Sequence, residues 1–252
     1  MPGYFITGTD TGVGKTWVTL VLMKAMQNKG KVVAGMKPVA CGCKETRNGL
    51  RNDDAVKILK QSNQSLDYNT VNPYAFQHAI APHIAAGLVG VMIDIEKIAG
   101  EFDKLIKDSD CVLVEGIGGW CVPLGGDIML SELVNRLDLP VILVVGLRLG
   151  CINHALSTVR AIRTDGVNLC GWVSNQLDKD YLFTQETIDT LNERLACPHI
   201  ADLAYMKDFE PDKMLDRINL SLIMEGAYVL AKNKLKVATK GQYRAYCRME
   251  TG

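Results

Sequence analysis

The stretch Gly8-Thr-Asp-Thr-Gly-Val-Gly14-Lys15-Thr16 lies between a short apolar run, Tyr4–Ile6, and an amphipathic segment from about 15 to 29. That segment carries Val18, Val21, Leu22 and Ala25 on one stripe. A glycine-rich turn that joins a strand to a helix and closes on Lys-Thr has the pattern of a phosphate-binding loop. Glycines let successive backbone N–H groups converge on one concave nest, and the helix start adds its positive end. Lys15 offers a mobile cation for β- and γ-phosphates, and the Thr16 hydroxyl can reach Mg²⁺. Five residues separate Gly8 from Gly14, one more than the strict pattern allows, so Thr9 holds the first-glycine slot. A longer or reshaped loop is expected.

Outward from this loop, apolar runs alternate with helix-length patterns. Val32–Met36, Cys111–Val114, Val141–Val145, Leu169–Ser174 and Ile200–Leu203 read as strands. Helical periodicity appears near 53–61, 94–107, 152–164, 184–195 and 214–231. The alternation predicts an α/β fold of P-loop NTPase type, a mostly parallel sheet with helices on both faces. Residues 1–230 read as one domain.

The 252 residues are 48% apolar and 22% charged, ordinary globular proportions that exclude wholesale disorder. Lys and Arg number 28, as do Asp and Glu, so the whole chain lacks the basic footprint of a nucleic-acid binder. Residues 231–252 are different, with six Lys/Arg and one acid; subtracting them leaves 22 basic and 27 acidic residues in the rest. This segment reads as a solvated basic tail. No apolar run approaches the roughly 20 residues of a membrane span, and the first residues lack signal-peptide features. The eight cysteines form no CxxC, and the four histidines have no ligand spacing, so reduced thiols in a cytoplasmic protein are expected rather than disulfides or zinc.

A nucleotide site needs acids as well as a loop. The run Val112-Leu-Val-Glu115-Gly-Ile-Gly-Gly119 delivers Glu115 to the carboxyl edge of the sheet, where ligands bind in such folds. Asp53-Asp54 opens a helix, where an acid also favours the dipole. Lys37 ends the second strand and reaches the same edge.

Taken together, these segments resemble dethiobiotin synthetases. The similarity runs through Thr7–Thr16, Met36-Lys-Pro-Val-Ala-Cys-Gly42, Gly49-Leu-Arg-Asn-Asp-Asp-Ala55 and Val71-Asn-Pro-Tyr74. It continues through Ala81-Pro-His-Ile-Ala-Ala86, Val112–Trp120, Gly146-Leu-Arg-Leu-Gly-Cys-Ile-Asn-His154 and Gly171-Trp-Val-Ser-Asn175, in family order. The resemblance implies ATP- and Mg²⁺-dependent ring closure of 7,8-diaminononanoate with CO₂ to dethiobiotin, ADP and phosphate. It implies Lys15 and Lys37 as catalytic cations, and Thr16, Asp54 and Glu115 as Mg²⁺ ligands. Gly12, Val13, Gly14, Lys15, Thr16 and Trp17 would hold the phosphates, and Glu115, Gly116, Ile117 and Gly118 would line the nucleotide and diamine site. Asn175 and Gln176, with Ala204, Tyr205, Met206 and Pro211, would face the adenine. Cys41 would meet the diamine, and Gly150, Cys151, Ile152 and Asn153 would meet its carboxylate from the second subunit of a homodimer. Partners would be small molecules, with neither nucleic acid nor membrane.

The chain departs from the family pattern at three points. Cys41 stands where Ser or Thr is usual, and a thiol is the weaker donor. Ala201-Asp-Leu-Ala204 replaces a Gly-x-Ile-Pro segment near the base. Thr187 lies where a substrate-contacting tyrosine is often found. The competing classes are an amide-forming ATPase of the cobyrinate type and a partitioning or septum-positioning ATPase. The latter favour a second lysine inside the loop, where this chain has Asp10.

Overall fold

The computed structural model describes residues 3–223. Strand β1 (Gly3–Gly8) leads through the glycine-rich loop into helix α1 (Lys15–Gln27). After β2 (Val33–Met36) come β3 (Val39–Cys41), the hairpin β4 (Lys44–Thr46) and β5 (Gly49–Arg51), helices α2 (Asp53–Gln61) and α3 (Tyr68–Val71), and β6 (Tyr74–Phe76). Helices α4 (Pro82–Leu88) and α5 (Ile95–Lys107) precede β7 (Cys111–Glu115). The short β8 (Pro123–Gly125) and β9 (Ile128–Met129), then α6 (Leu130–Leu137), lead to β10 (Val141–Leu147). The order closes with α7 (Cys151–Thr164), β11 (Leu169–Gln176), α8 (Thr184–Leu195), β12 (His199–Leu203) and a 3-10 helix, Pro211–Arg217.

Six strands make one sheet in the order β12-β11-β10-β1-β7-β2, and every pairing is parallel. All their carboxyl ends therefore share one edge, and the loops that leave that edge carry the chemistry. Both faces are covered, which is why these strands are apolar throughout rather than alternating. Phe5, Met36, Val112 and Val114 face helices α4, α5 and α6. Their alternate neighbours Tyr4, Ile6, Val33 and Leu113 face Val21 and Leu22 of α1 and Ile58 of α2. Leu143, Val145 and Trp172 pack under α7 and α8. Each buried side chain of this size contributes about 1.5–3 kcal/mol.

The start of the helix predicted near 214–231 is corrected, while its part beyond residue 223 lies outside the described residues. Residues 211–217 are 3-10, and Ile218 bridges back to Ala201 before a helical turn begins at Leu220. Pro211 starts this segment, and its apolar residues do not follow one helical stripe. Met206, Phe209, Met214 and Ile218 instead wrap the outer side of α1. Residues from 224 onward, including the 231–252 segment, lie outside the described residues. Strand β2 begins at Val33 rather than Val32, and α7 begins one residue early at Cys151.

Candidate active site

Three parallel strands bring the charged cluster together. Met36 of β2 pairs with Val114 of β7, and Ile6 of β1 pairs with Glu115. The next residue after Met36 is Lys37, so its side chain meets Glu115. The Lys37 ammonium donates to Glu115 Oε1 at 2.5 Å and to the Gly116 carbonyl at 2.9 Å. The Thr16 hydroxyl donates to the same Oε1 at 2.9 Å. Glu115 Oε2 is buried with no hydrogen-bond partner.

The loop Thr9–Gly14 curls over this cluster. Gly14, with φ of 89°, is the N-cap of α1, and a Cβ there would sit 2.0 Å from Asn175 Nδ2. Only glycine fits that position. The first two residues of α1, Lys15 and Thr16, are both buried. The Lys15 ammonium donates to the Asp10 carbonyl at 2.9 Å and the Gly118 carbonyl at 2.5 Å. Burial first, and then the Lys37 charge, push it down to about 8, against the pull of Glu115, Asp10 and Asp54. Arg148 pairs with Asp10 at 2.6 Å, tying the loop to the end of β10. The Thr11 amide, helped by Arg148, holds the Asp10 carboxyl below its ordinary range.

Asp54 arrives on the first turn of α2. Asn52 is the N-cap, and its Oδ1 accepts from the Asp54 amide at 3.0 Å and the Ala55 amide at 3.2 Å. Such a cap contributes about 1 kcal/mol. The acids of that turn also favour the helix dipole.

These groups line one cavity of about 790 Å³. Of the residues singled out in the sequence, it is lined by Gly12, Gly14, Lys15, Thr16, Trp17, Lys37, Cys41, Asp54, Glu115, Ile117 and Gly118. Burial is the main cause that pushes the half-buried Cys41 thiol up to about 11, with Cys43 adding to it. The cavity also takes in Asn52, the Ala79–Pro82 turn and Cys121–Pro123. Composition does not reveal these last walls, although Ala81–Ala86 belongs to the motif series and could have drawn attention to them.

Other singled-out residues stand apart from this cavity. Val13 is buried, and its carbonyl accepts from Asn175 Nδ2 at 2.9 Å. Gly116 contributes its carbonyl to Lys37. Asn175 and Gln176 end β11, and Ala204 follows β12, two and three strands away from β1 in the sheet. Gln176 Oε1 accepts from the Tyr205 amide at 3.5 Å. Met206 packs into the α1 cluster, Pro211 begins the 3-10 helix, and Trp17 meets Phe209 with ring centroids 5.0 Å apart. Gly150 caps α7, with Cys151 buried beneath it, Ile152 half-buried and Asn153 exposed. Thr187 is buried on α8 and bonded to the Phe183 carbonyl and the Tyr181 hydroxyl. Among the described residues, no group of three or more His, Cys, Asp or Glu could hold a metal ion, and no helix is long and apolar enough to cross a membrane.

A glycine-rich loop that caps a buried helix start, with Lys and Thr in its first turn and an acid on the neighbouring strand, defines a P-loop nucleotide-binding protein. Solved structures of a ParA family ATPase from Chlorobium tepidum and of MinD from Aquifex aeolicus share the fold. Their TM-scores are 0.51 and 0.50, with 11% and 16% identity, over 85% and 86% of this chain and 89% and 87% of theirs. A family profile described as an AAA domain matches residues 2–213. The ATP-dependent dethiobiotin synthetase BioD of Xanthomonas euvesicatoria is 46% identical over 197 residues, 78% of this chain and 88% of the relative. That of Cellvibrio japonicus is 44% identical over 222 residues, 88% of this chain and 97% of the relative. The chain belongs to the ATP-dependent dethiobiotin synthetase family.

Proposed function

We propose that this protein converts 7,8-diaminononanoate, CO₂ and ATP into dethiobiotin, ADP and phosphate. The observation that carries the reading is the Lys37–Glu115–Thr16 cluster, which shares one cavity with the phosphate loop. The chemistry needs no covalent enzyme intermediate. One amine of the substrate adds to CO₂ and loses a proton, giving a carbamate. A carbamate oxygen attacks the γ-phosphorus, and the bond to the ADP oxygen breaks. The second amine attacks the carbamoyl carbon, phosphate leaves, and the ring closes with loss of a proton.

Each charged residue has a role in that sequence. Lys15, at the loop, would hold the β- and γ-phosphates as charge moves toward ADP. Lys37, at the end of β2, would hold the carbamate oxygens and the transferring phosphoryl group. Backbone N–H groups from Gly12 to Trp17 would complete the phosphate cradle.

Mg²⁺ fits the donors present. Glu115 Oε2 is buried without a partner, the Thr16 hydroxyl touches the same carboxylate, and Asp54 lines the same cavity. These are hard oxygen donors, and their small number suits an ion that arrives with nucleotide phosphates. When bound, that ion neutralises charge on the phosphate oxygens.

We further read Asn175, with Gln176 and residues 204–206 and Pro211, as the adenine side of the site. A side-chain amide can donate to and accept from one base edge at once. Gly150–Asn153 is read as the diamine carboxylate site of a neighbouring copy in a homodimer. It combines a helix N-terminus with an exposed Asn153, and it does not line the cavity of its own chain. The test is direct. Purified protein with diamine, bicarbonate and Mg-ATP should form dethiobiotin, detected by mass, with one ADP per product. Nucleotide turnover that responds to DNA or lipid vesicles but yields no dethiobiotin would overturn the reading.

A further inference from the structure

We propose that Tyr68 and Asn72 are positioning residues that hold Lys37 and the Asp54-bearing start of α2 in one frame. The inference rests on the reading in which Lys37 and Asp54 serve the phosphates.

Covalently, Lys37 and Asp54 are joined through the hairpin β4–β5, whose residues are exposed or half-buried. Along that connection, among the described residues, the only side-chain tie from Asn52 back to β3 is a long one, Asn52 Nδ2 to the Cys41 carbonyl at 3.5 Å. A second path runs through the buried residues Tyr68 and Asn72. The segment Val71–Tyr74 runs beside Lys37–Val39: the Lys37 amide donates to the Val71 carbonyl at 2.8 Å, and the Tyr74 amide donates to the Pro38 carbonyl at 3.1 Å. The Asn72 side chain closes this pairing. Its Nδ2 donates to the Lys37 carbonyl at 2.6 Å and to the Tyr74 carbonyl at 3.1 Å, while its Oδ1 accepts from the Tyr68 hydroxyl at 2.9 Å. A flipped amide would set its oxygen against two carbonyls, so the orientation is determined. The Tyr68 oxygen also accepts from the Asn52 amide at 2.8 Å. Asn52 in turn caps α2 through the Asp54 amide.

Four hydrogen bonds thus run from the Lys37 carbonyl to the Asp54 amide through Asn72, Tyr68 and Asn52. Tyr68 and Asn72 are 7% and 2% exposed, so water does not compete for the two bonds that join Tyr68, Asn72 and the Lys37 carbonyl. The Arg51 guanidinium lies 4.0 Å over the Tyr68 ring and covers it from the hairpin side. Neither residue lines the cavity. Their effect on chemistry passes through the two groups they hold, and catalysis is sensitive to displacements of that scale.

Tyr68→Phe removes one hydroxyl and leaves the ring. The control is Tyr4→Phe, which also removes a buried hydroxyl, one with a single bond to the Ile223 carbonyl at 3.2 Å and no bond to Asn52 or Asn72. Tyr68→Phe should lose more thermal stability than Tyr4→Phe, because its hydroxyl makes two bonds and that of Tyr4 one. Tyr68→Phe alone should lower kcat for dethiobiotin formation by about tenfold, with KM for the diamine within about twofold. It should also raise, several-fold, the magnesium concentration that half-saturates ATP binding in calorimetry. Amide hydrogen exchange at Lys37, Asp54 and Ala55 should accelerate in Tyr68→Phe and not in Tyr4→Phe. A Tyr68→Phe protein that matches Tyr4→Phe in kcat, magnesium dependence and exchange would overturn the proposal. A wild type that binds Mg-ATP but makes no dethiobiotin would sink the functional reading instead. The binding and exchange measurements would then decide the positioning role by themselves.

Discussion

The Lys37 ammonium and the Glu115 carboxylate lie 2.5 Å apart, with side chains 6% and 1% exposed. Taking either charge out of water alone is expensive, and a buried pair is rarely more stable than an apolar one. Its retention at the end of two adjacent strands fits a role in chemistry. Lys37→Ala should abolish turnover and destabilise the fold by about 3–5 kcal/mol, because it leaves Glu115 buried and unpaired. The double variant Lys37→Met/Glu115→Gln should recover most of that stability and none of the turnover. Urea unfolding of the three proteins checks this. A Lys37→Ala protein as stable as wild type would refute the buried-pair account.

Lys15 carries the opposite stability signature. Its folded-state value of about 8 lies below the 10.5 of a free lysine, chiefly through burial. Between those values the unfolded chain holds more protons, so stability rises with pH across that window. Below about 8 both states are charged, and the full cost of roughly 3 kcal/mol is present. Lys15→Met should therefore be more stable than wild type at pH 7, with the gain shrinking toward pH 10. Its turnover should fall by about 10²–10³-fold. Equal stability differences at the two pH values would contradict the assignment.

The two thiols in the cavity wall should behave differently. Cys41 is half-buried, with its thiol pushed up to about 11, so it stays neutral at pH 8. Cys121 is exposed on the same cavity. Iodoacetamide at pH 8 should modify Cys121 well ahead of Cys41, read by peptide mass. Cys41→Ser should keep or raise turnover, since a hydroxyl is the better donor at nearly the same size. A large loss would mean that the thiol has a role of its own.

The proposed two-chain site makes a quantitative prediction. Lys37→Ala and a disabling change at Asn153, each inactive alone, should complement when mixed under exchanging conditions. Random two-fold pairing leaves about a quarter of the sites intact, so about a quarter of wild-type activity should return. If both residues serve one site from the same chain, mixing restores nothing.

The sheet was legible because its strands are apolar on both faces, as in Ile142–Val145, and the helices between them show one clear stripe. The small strand pairs were not legible. β4 and β5 expose most of their side chains, and three-residue strands carry too little period to detect. The α6 stripe, Leu130, Leu133, Val134 and Leu137, all buried, is present in the sequence but spans only 8 residues. Motif spacing and resemblance named Lys15, Thr16, Lys37, Asp54 and Glu115. They could not reveal that Oε1 of Glu115 takes two donors while Oε2 takes none, because that follows from the register of three strands. Nor could they indicate that Val71–Tyr74 lies along Lys37, a parallel pairing of segments over thirty residues apart.

The two carbonyls that hold Lys15 also bear on product release. Its ammonium is already satisfied by Asp10 and Gly118, two oxygens from its own chain. On the proposed reading a phosphate oxygen would enter by exchange, displacing two neutral carbonyls, so nucleotide would gain less from this contact than from a bare cation. The same exchange run backwards would let ADP depart without stranding a buried ammonium. Grip on the triphosphate and speed of turnover would in this way be set against each other by two backbone oxygens, which side-chain mutagenesis would overlook.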